Sequence, residues 1–529
     1  MKLNSAEIVI IGSGLSAYGA ISAAIDLNAQ ITIIDVGDVL PEKISKAIST
    51  IRFEPPEKVH KSIADKSRHG NDLHLGKREL PKKTIFGSKY FYKEESLTDL
   101  SVLPFSEAFG GYSVAWGAAV LPPTSNDLPN LSFSYLELQD SIDSLASRLR
   151  MPFLHDALTE YFPNYGEKNM DEVLQLSKSQ KALLDRILQL QESEPDDICV
   201  VGQSRLLTET SGPRACKYCG MCSHGCIYNS IFSSSQEIGH LVKDHRIKYL
   251  SGKKVISLAE VDGRVTIFSV DVNSGAKEAF EADYVFVAAG AVNSTKIAIK
   301  SFGLENENVV FQKTGGFVRP YFSLQKIGFD WPEQNTQANI FLEIKSKELS
   351  RYWIHSQVST PNEVVILGLG YLSSKLMMKI LSPLRNFFLK RLVLVMTNLH
   401  SSNGPYYDLK TKIDGDFLAF DGELKIPKTY LSAERRIEFK IKKKFRKIGL
   451  FAIPFTKKGV SNGPGYHIGG SMPSGGSSKL STDSLGRFSD NSRISFVDTS
   501  VLPCIPATTI GLLAMANSYR ITKRVLSGL

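Results

Sequence analysis

The stretch that most constrains this chain is Ile8-Val9-Ile10-Ile11-Gly12-Ser13-Gly14-Leu15-Ser16-Ala17-Tyr18-Gly19. An uninterrupted apolar run reads as a strand buried on both faces, which belongs in a parallel sheet. Gly12 and Gly14 supply a tight turn, and the residues from Leu15 to Leu27 leave it as a helix. A second apolar run, Ile31 to Ile34, ends at Asp35, about twenty residues further on. At that distance a carboxylate reaches both hydroxyls of an adenosine ribose while the first-turn amides of the helix meet a diphosphate. Ala17 stands where a third glycine would, and is small enough to keep helix and strand close. Strand, turn, helix and acid together predict a dinucleotide site. They do not choose between FAD and a nicotinamide.

A chain of 529 residues has room for more than one domain. With 42% hydrophobic and 22% charged residues it is a folded globular protein and not a disordered one. Too few residues precede the first strand for an export signal, and no run is apolar enough to span a membrane, so the expected location is the cytoplasm. The net charge of +9 is concentrated at 435–447, in Arg435, Arg436, Lys440, Lys442, Lys443, Lys444, Arg446 and Lys447. Such a run is a solvated face, a contact for a phosphorylated substrate, or a contact for an anionic membrane surface. The stretch 371–396 is apolar, carries Lys375, Lys379, Arg385, Lys390 and Arg391, and is broken by Pro383. It reads as two short amphipathic helices that pack on the protein or lean peripherally on a membrane. No basic motif interleaved with aromatics is present, so nucleic acid is not an expected partner.

Further along, Phe109-Gly110-Gly111-Tyr112-Ser113-Val114-Ala115-Trp116-Gly117 combines small residues with one large aromatic, the mixture a flat ring lying on backbone requires. Residues 134–190 repeat apolar positions at helical spacing, and 254–270 alternate as a hairpin around Val261-Asp262-Gly263-Arg264. Ala282 to Ala291 is a second strand entering a small-residue turn at Ala289-Gly290, followed by a helix over Ser294–Ser301. Several alternating strands fill 314–365 and predict an antiparallel sheet. His60, His69 and His74 read as solvent-exposed. His467 sits instead in a glycine-rich loop, Gly465-Tyr466-His467-Ile468-Gly469-Gly470, ahead of a strand ending at Asp498 and a closing helix over Leu512–Val525.

In this order the elements resemble the glucose–methanol–choline (GMC) flavoprotein oxidoreductases, and Tyr466 to Ser471 with Phe496 to Pro503 is the more specific half of the likeness. The resemblance implies an α/β fold: a Rossmann-like FAD-binding domain from 1–130, 201–312 and 461–529, with an inserted α+β substrate domain from 131–200 and 313–460 built on an antiparallel sheet. It implies FAD held by Gly12, Gly14, Leu15, Ser16, Asp35, Gly111, Ser113, Trp116, Gly117, Val255, Ala289, Gly290, Asp498 and Thr509. It implies oxidation of a CH–OH group of an alcohol or sugar-like donor to a carbonyl, with hydride passing to flavin N5 and the hydroxyl proton to His467. An imidazole suits that task, because it accepts a proton at neutral pH. The family's second polar residue, histidine or asparagine at the start of the last helix, is missing here. Thr508 and Thr509 stand there as candidate catalytic hydroxyls, and His355, His400 and Asn403 are candidates from the inserted domain. The alternatives are a flavin-dependent reductase or isomerase, and an inactive flavin-binding subunit.

Cys216, Cys219, Cys222 and Cys226 form a tight array with ferredoxin-like spacing, except that Ile227 replaces the proline, and His224 lies within it. The array is similar to the cysteine-rich segment of GMC-like proteins near cholesterol and long-chain alcohol oxidases. It reads as an iron–sulfur cluster, a zinc site, or thiols that pack or pair locally. A cluster would carry electrons to a protein or quinone acceptor and make a dehydrogenase the expectation over an oxidase.

Overall fold

In the computed structural model, which describes residues 7–52, 54, 93–99, 101–166, 173–194, 197–222, 225–331, 333–362, 365, 382–459, 466–488 and 492–528, the apolar runs of the opening motif become strand β1 (Glu7–Ile11), helix α1 (Leu15–Asp26) and strand β2 (Gln30–Ile34). β1 pairs in parallel with β2 and with Tyr284–Val287, and Ile247–Leu250 and Ile494–Phe496 complete a five-stranded parallel sheet at its two edges. Helix α2 (Ala291–Phe302) leaves Tyr284–Val287 as α1 leaves β1. The two crossings touch at Gly12, whose φ is +100° and where a Cβ would lie 2.5 Å from the Ala288 carbonyl oxygen. No side chain fits there. The last helix, Ile510–Ser527, lies along α1, so segments from both ends and the middle of the chain build one layer.

The second layer is an eight-stranded antiparallel sheet. At its centre are β3 (Gly315–Ser323), β4 (Ile340–Ser346), β5 (Ser350–Ser359) and β6 (Leu392–Leu399), in the spatial order β3-β6-β5-β4, with Asp197–Gln203 beyond β4 and Leu450–Ala452 beyond β3. Side chains alternate between faces along each strand. Phe317, Tyr321, Leu342, Ile354, Val358 and Val395 point to one side and form a core with the helix Lys178–Ile187 and with Tyr430, Ile437, Ile441 and Phe445. The intervening residues face the parallel layer.

Two sequence expectations change here. The stretch 371–396 is not helical to its end. Its described part is helix α3 (Ser382–Leu389) followed by β6, which is held between β3 and β5 because Leu392-Val393-Leu394-Val395 alternates at the period of a sheet. Residues 371–381 lie outside the described residues, as do Val364, Leu367, His60, His69, His74, His224 and Gly465. The basic run lies on helix α4 (Lys428–Lys447) and is not uniformly solvated. Its inner side carries buried Glu434 and Glu438, which pair with Arg319, Lys442 and Lys457, while Lys440 reaches Asp197 at 2.8 Å. The outer side keeps Arg435, Arg436, Lys443, Arg446 and Lys447.

α1 and the last helix approach closely at Gly19, where a Cβ would stand 2.2 Å from the Met515 carbonyl oxygen. Helix propensity alone favours alanine over glycine by about 1 kcal/mol. The backbone clash opposes it, with overpacking worth about 1–3 kcal/mol. Gly19→Ala is therefore expected to lower the urea midpoint at unchanged m value, and a raised midpoint would show that the helices can separate without loss.

Candidate active site

A cavity of about 1120 Å³ is bordered by both layers. At one end it meets the loop Gly12-Ser13-Gly14 and the start of α1, whose N-cap, Gly14, offers no side-chain hydrogen bond. The same holds at Gly290 before α2 and at Thr509 before the last helix, and all three helix starts border this cavity. First-turn amides without caps carry the positive end of the helix dipole and accommodate an anion or a polar ring edge. Asp35 closes this end. Its carboxylate accepts from the Ser13 hydroxyl and, at 3.1 Å, from Tyr249, while the Gly110 amide donates to Ser13 Oγ at 2.8 Å. Burial raises the Asp35 pKa to about 7 against the pull of those bonds. A Cβ on Gly14 would meet nothing nearer than the Gly111 Cα at 4.0 Å, and one on Gly117 or Gly290 would meet nothing within 4 Å. The backbone is therefore open to a ligand along the whole wall, which fits an extended dinucleotide cofactor.

At the other end the wall is the inner face of the antiparallel sheet. Val318, Gln357, Ser359, Leu394, Met396 and Asn398 border the cavity, with Gln337 and Asn362 beside them. The sheet residues of this wall carry amides, hydroxyls and apolar groups, while the charged side chains that border the cavity, among them Glu94, Glu107, Lys254, Lys296 and Lys300, come from elements outside the sheet. His467 faces it from the loop before Ile468–Gly469, a short strand paired with Val309–Lys313, and its carbonyl accepts from the Thr314 amide at 3.2 Å. Burial, with a smaller contribution from nearby His355, lowers the His467 pKa to about 4. The imidazole is neutral at pH 7 and able to accept a proton.

His355 lies on the same face of the sheet as Gln357, two residues before it on β5. It is fully buried on β5, opposite Glu343 of β4 and Asn398 of β6. Its Nδ1 lies 2.5 Å from Glu343 Oε1, and its Nε2 lies 3.2 Å from the Gln357 amide nitrogen. A carboxylate on the Nδ1 side keeps the ring proton there, so Nε2 accepts from Gln357 and fixes that amide at the cavity wall. Burial raises the Glu343 pKa. His400 is engaged elsewhere: its ring nitrogens meet the Asp127 carbonyl at 2.9 Å and the Ser402 amide at 3.1 Å, and it stacks on Tyr352. Asn403 is exposed.

The structure brings Gly12, Gly14, Leu15, Ser16, Asp35, Gly111, Trp116, Gly117, Val255, Ala289, Gly290, His467, Asp498 and Thr509 to the one cavity. Ser113 lies behind it, bonding Gly110 and the serines at 233 and 234. Thr508 is buried away from it, and the Thr509 hydroxyl accepts from the Leu121 amide at 2.7 Å. Asp498 caps Ser500 at 3.0 Å and accepts from Ser294, joining the end of one strand to α2. Sequence reasoning missed Gln337, Gln357 and Asn398. Their alternation is visible in the sequence, but which face they occupy is not.

All four cysteines of the array border a small cavity of about 20 Å³ directly behind the main one, and the Thr336 amide on the wall between donates to Cys222 Sγ at 3.3 Å. Among the described residues no group of three or more His, Cys, Asp or Glu side chains is arranged to hold a metal ion. The expected iron–sulfur cluster finds no support among the described residues, where the four cysteines pack against hydrophobic clusters.

No family model matches the chain, and no curated protein sequence does. Among solved structures it is similar to pyridoxine 4-oxidase from Mesorbium loti, with 13% identity over 98% of this chain and 99% of that one and a TM-score of 0.57. It is similar also to a new fungal aryl-alcohol oxidase, with 10% identity over 99% of each chain and a TM-score of 0.57. This chain has their mixed α/β fold. The likeness covers nearly the whole chain and so includes both layers.

Because the space above Gly14 is open, Gly14→Val projects its side chain into the cavity and not into protein. The variant is expected to keep its circular dichroism spectrum while its bound dinucleotide content falls by more than about tenfold, the effect of roughly 1.4 kcal/mol of lost binding. Cofactor released on denaturation and read by absorbance measures it.

Proposed function

We infer that the protein is an FAD-dependent oxidoreductase that oxidises a neutral, hydroxyl-rich alcohol at a CH–OH carbon to a carbonyl. The observation that carries this reading is a neutral imidazole, His467, facing the same cavity that three uncapped helix starts and Asp35 prepare for a dinucleotide. Gly12, Gly14, Leu15, Ser16, Asp35 and Val255 would hold the ADP part, and Ala289, Gly290, Asp498, Gly111, Trp116, Gly117 and Thr509 the remainder. FAD, when bound, supplies the two-electron acceptor for the hydride of the carbinol carbon.

The chain itself does the rest. His467 takes the hydroxyl proton as the carbon–oxygen double bond forms, which balances the loss of hydride. Gln357, held by the Glu343–His355 pair, and Gln337, whose amide donates to the Gly117 carbonyl at 2.7 Å, orient the substrate's hydroxyls. A carboxamide both donates and accepts, as a hydroxyl does, so a wall of amides suits a polyol or sugar. The sheet wall itself offers no cation, so an anionic group set against it would lose hydration and gain no partner there. A phosphorylated substrate was one reading of the basic run; the amide-lined sheet wall of the chamber suits a neutral one. The pyridoxine 4-oxidase and the aryl-alcohol oxidase are named as oxidases, which makes dioxygen the first electron acceptor to assay and a quinone or carrier protein the second.

The decisive measurement is anaerobic bleaching of the flavin absorbance by neutral sugars and polyols, compared with their carboxylated or phosphorylated analogues. Failure of every neutral alcohol to bleach a flavin-loaded protein would refute the reading. His467→Asn should slow bleaching by about 10²–10⁴-fold, the range for loss of a general base, while flavin stays bound. The pH profile follows from the direction of the shift. A base whose pKa is lowered stays proton-free across the neutral range, so the rate should hold down to weakly acidic pH and fall as pH drops through about 4, not through the 6.5 of an ordinary imidazole.

A further inference from the structure

Outside the cavity, the end of the antiparallel sheet carries an exposed apolar corner. Leu324, Leu384, Phe387, Phe388 and Phe451 are each between 40% and 64% exposed, far more than side chains that a monomeric core would use. The aromatic rings gather around Phe322, and Leu384 lies one helical turn before Phe387 and Phe388 on α3. The Phe322 ring lies 6.1 Å from Phe387 and 5.8 Å from Phe388, and Phe322 is paired in register with Phe451 on the neighbouring strand. Leu324 follows two residues later, and its amide donates to the Gly449 carbonyl at 3.1 Å, immediately beyond the end of α4.

Cations surround this corner. Arg391 lies over the Phe387 ring at 4.1 Å, and the Arg391 carbonyl accepts from the Ser323 amide at 2.8 Å. Lys326 is exposed beside Leu324, Lys390 ends the α3 turn, and Arg446 and Lys447 close α4. Among the described residues none of Lys326, Lys390, Arg391, Arg446 and Lys447 forms an ion pair with a carboxylate. The outer face of α4 continues the pattern, with Phe439 68% exposed between Arg436 and Lys443. No helix among the described residues is long and apolar enough to cross a membrane.

We propose that this corner docks the protein peripherally on an anionic lipid bilayer, the aromatic and leucine side chains entering the headgroup boundary while the surrounding cations meet lipid phosphates. Apolar insertion combined with basic flanks is the chemistry of interfacial binding. A second copy of the chain does not fit the patch as well, because a two-fold contact would set the same uncompensated cations against each other. Docking also has a consequence for the cavity. Val318 in its wall and Phe322 in the patch lie on the same face of β3, four residues and so about 13 Å apart. The substrate chamber would open near the headgroups, within reach of a lipid-linked hydroxyl compound; that consequence, unlike the docking itself, rests on the function proposed above.

Co-sedimentation of the flavin-loaded protein with phosphatidylcholine–phosphatidylglycerol vesicles, against pure phosphatidylcholine, tests docking without any assay of turnover. Binding is expected to the anionic vesicles and to weaken as salt rises from about 0.1 M to 1 M, where the screening length falls from about 10 Å to about 3 Å. Arg446→Glu with Lys447→Glu should weaken it by at least about tenfold, at roughly 1 kcal/mol for each surface cation. Leu384→Glu with Phe388→Glu should weaken it at least as much, with flavin content and thermal midpoint confirming an intact fold. Three outcomes would overturn the proposal: no binding to anionic vesicles, binding indifferent to both double variants, or a dimer in solution that Phe388→Glu dissociates.

Discussion

Three helices begin at the rim of one cavity, and none of their first turns is capped by a side chain. Unsatisfied amides in a buried place are costly unless something polar meets them, and here three sets converge. The convergence depends on contacts with no tolerance for a side chain. Gly12 lets two strand–helix crossings share one point, and Gly19 lets the last helix press on α1 so that its N-terminus arrives at the same place. The parallel sheet is therefore less a core with a site attached than a device for aiming backbone amides. The antiparallel sheet adds the opposite wall, and only there do side chains dominate.

How much of this was legible in the sequence follows from that division. Gly12, Gly14 and Asp35 are local: strand, turn and acid lie within a short stretch, so periodicity alone locates them. His467 was legible for a different reason, a histidine in a run of glycines where a core histidine has no place. The Glu343–His355 pair was not. Its members are twelve residues apart on two strands, and they meet only because the register sets Glu343 opposite His355. Gln337, Gln357 and Asn398 likewise come from three separate segments, and a slip of one residue in either strand would turn the latter two outward.

The stretch 371–396 shows how pattern reading fails. Cations spaced through apolar residues resemble an amphipathic helix, and the first described part is one. From Leu392 onward the deciding influence is two waiting strand edges, β3 and β5, whose backbone groups need partners. Tertiary pairing overrides local preference there. The basic run on α4 fails in the other direction: counted as a block it resembles a uniformly charged face, yet Glu434 and Glu438 lie among its cations at helical spacing and draw Arg319, Lys442 and Lys457 inward. What is left on the outer side is a smaller and more localised charge than the sum implies.

The environment of His467 sets two demands against each other. Burial lowers its pKa from 6.5 to about 4, which by the usual conversion disfavours the imidazolium by something on the order of 3 kcal/mol. Between those two pH values the unfolded chain binds a proton at this ring that the folded chain does not, so acidification through that window removes stability, and above it the folded state has no such penalty. A weak base is a poor acceptor from an intact hydroxyl. It is an adequate one only while the hydroxyl oxygen is losing its proton and its carbon is losing hydride together, because the acidity of that oxygen then rises steeply. On the function proposed above, the same burial that weakens the base would tie proton acceptance to oxidation of the carbon.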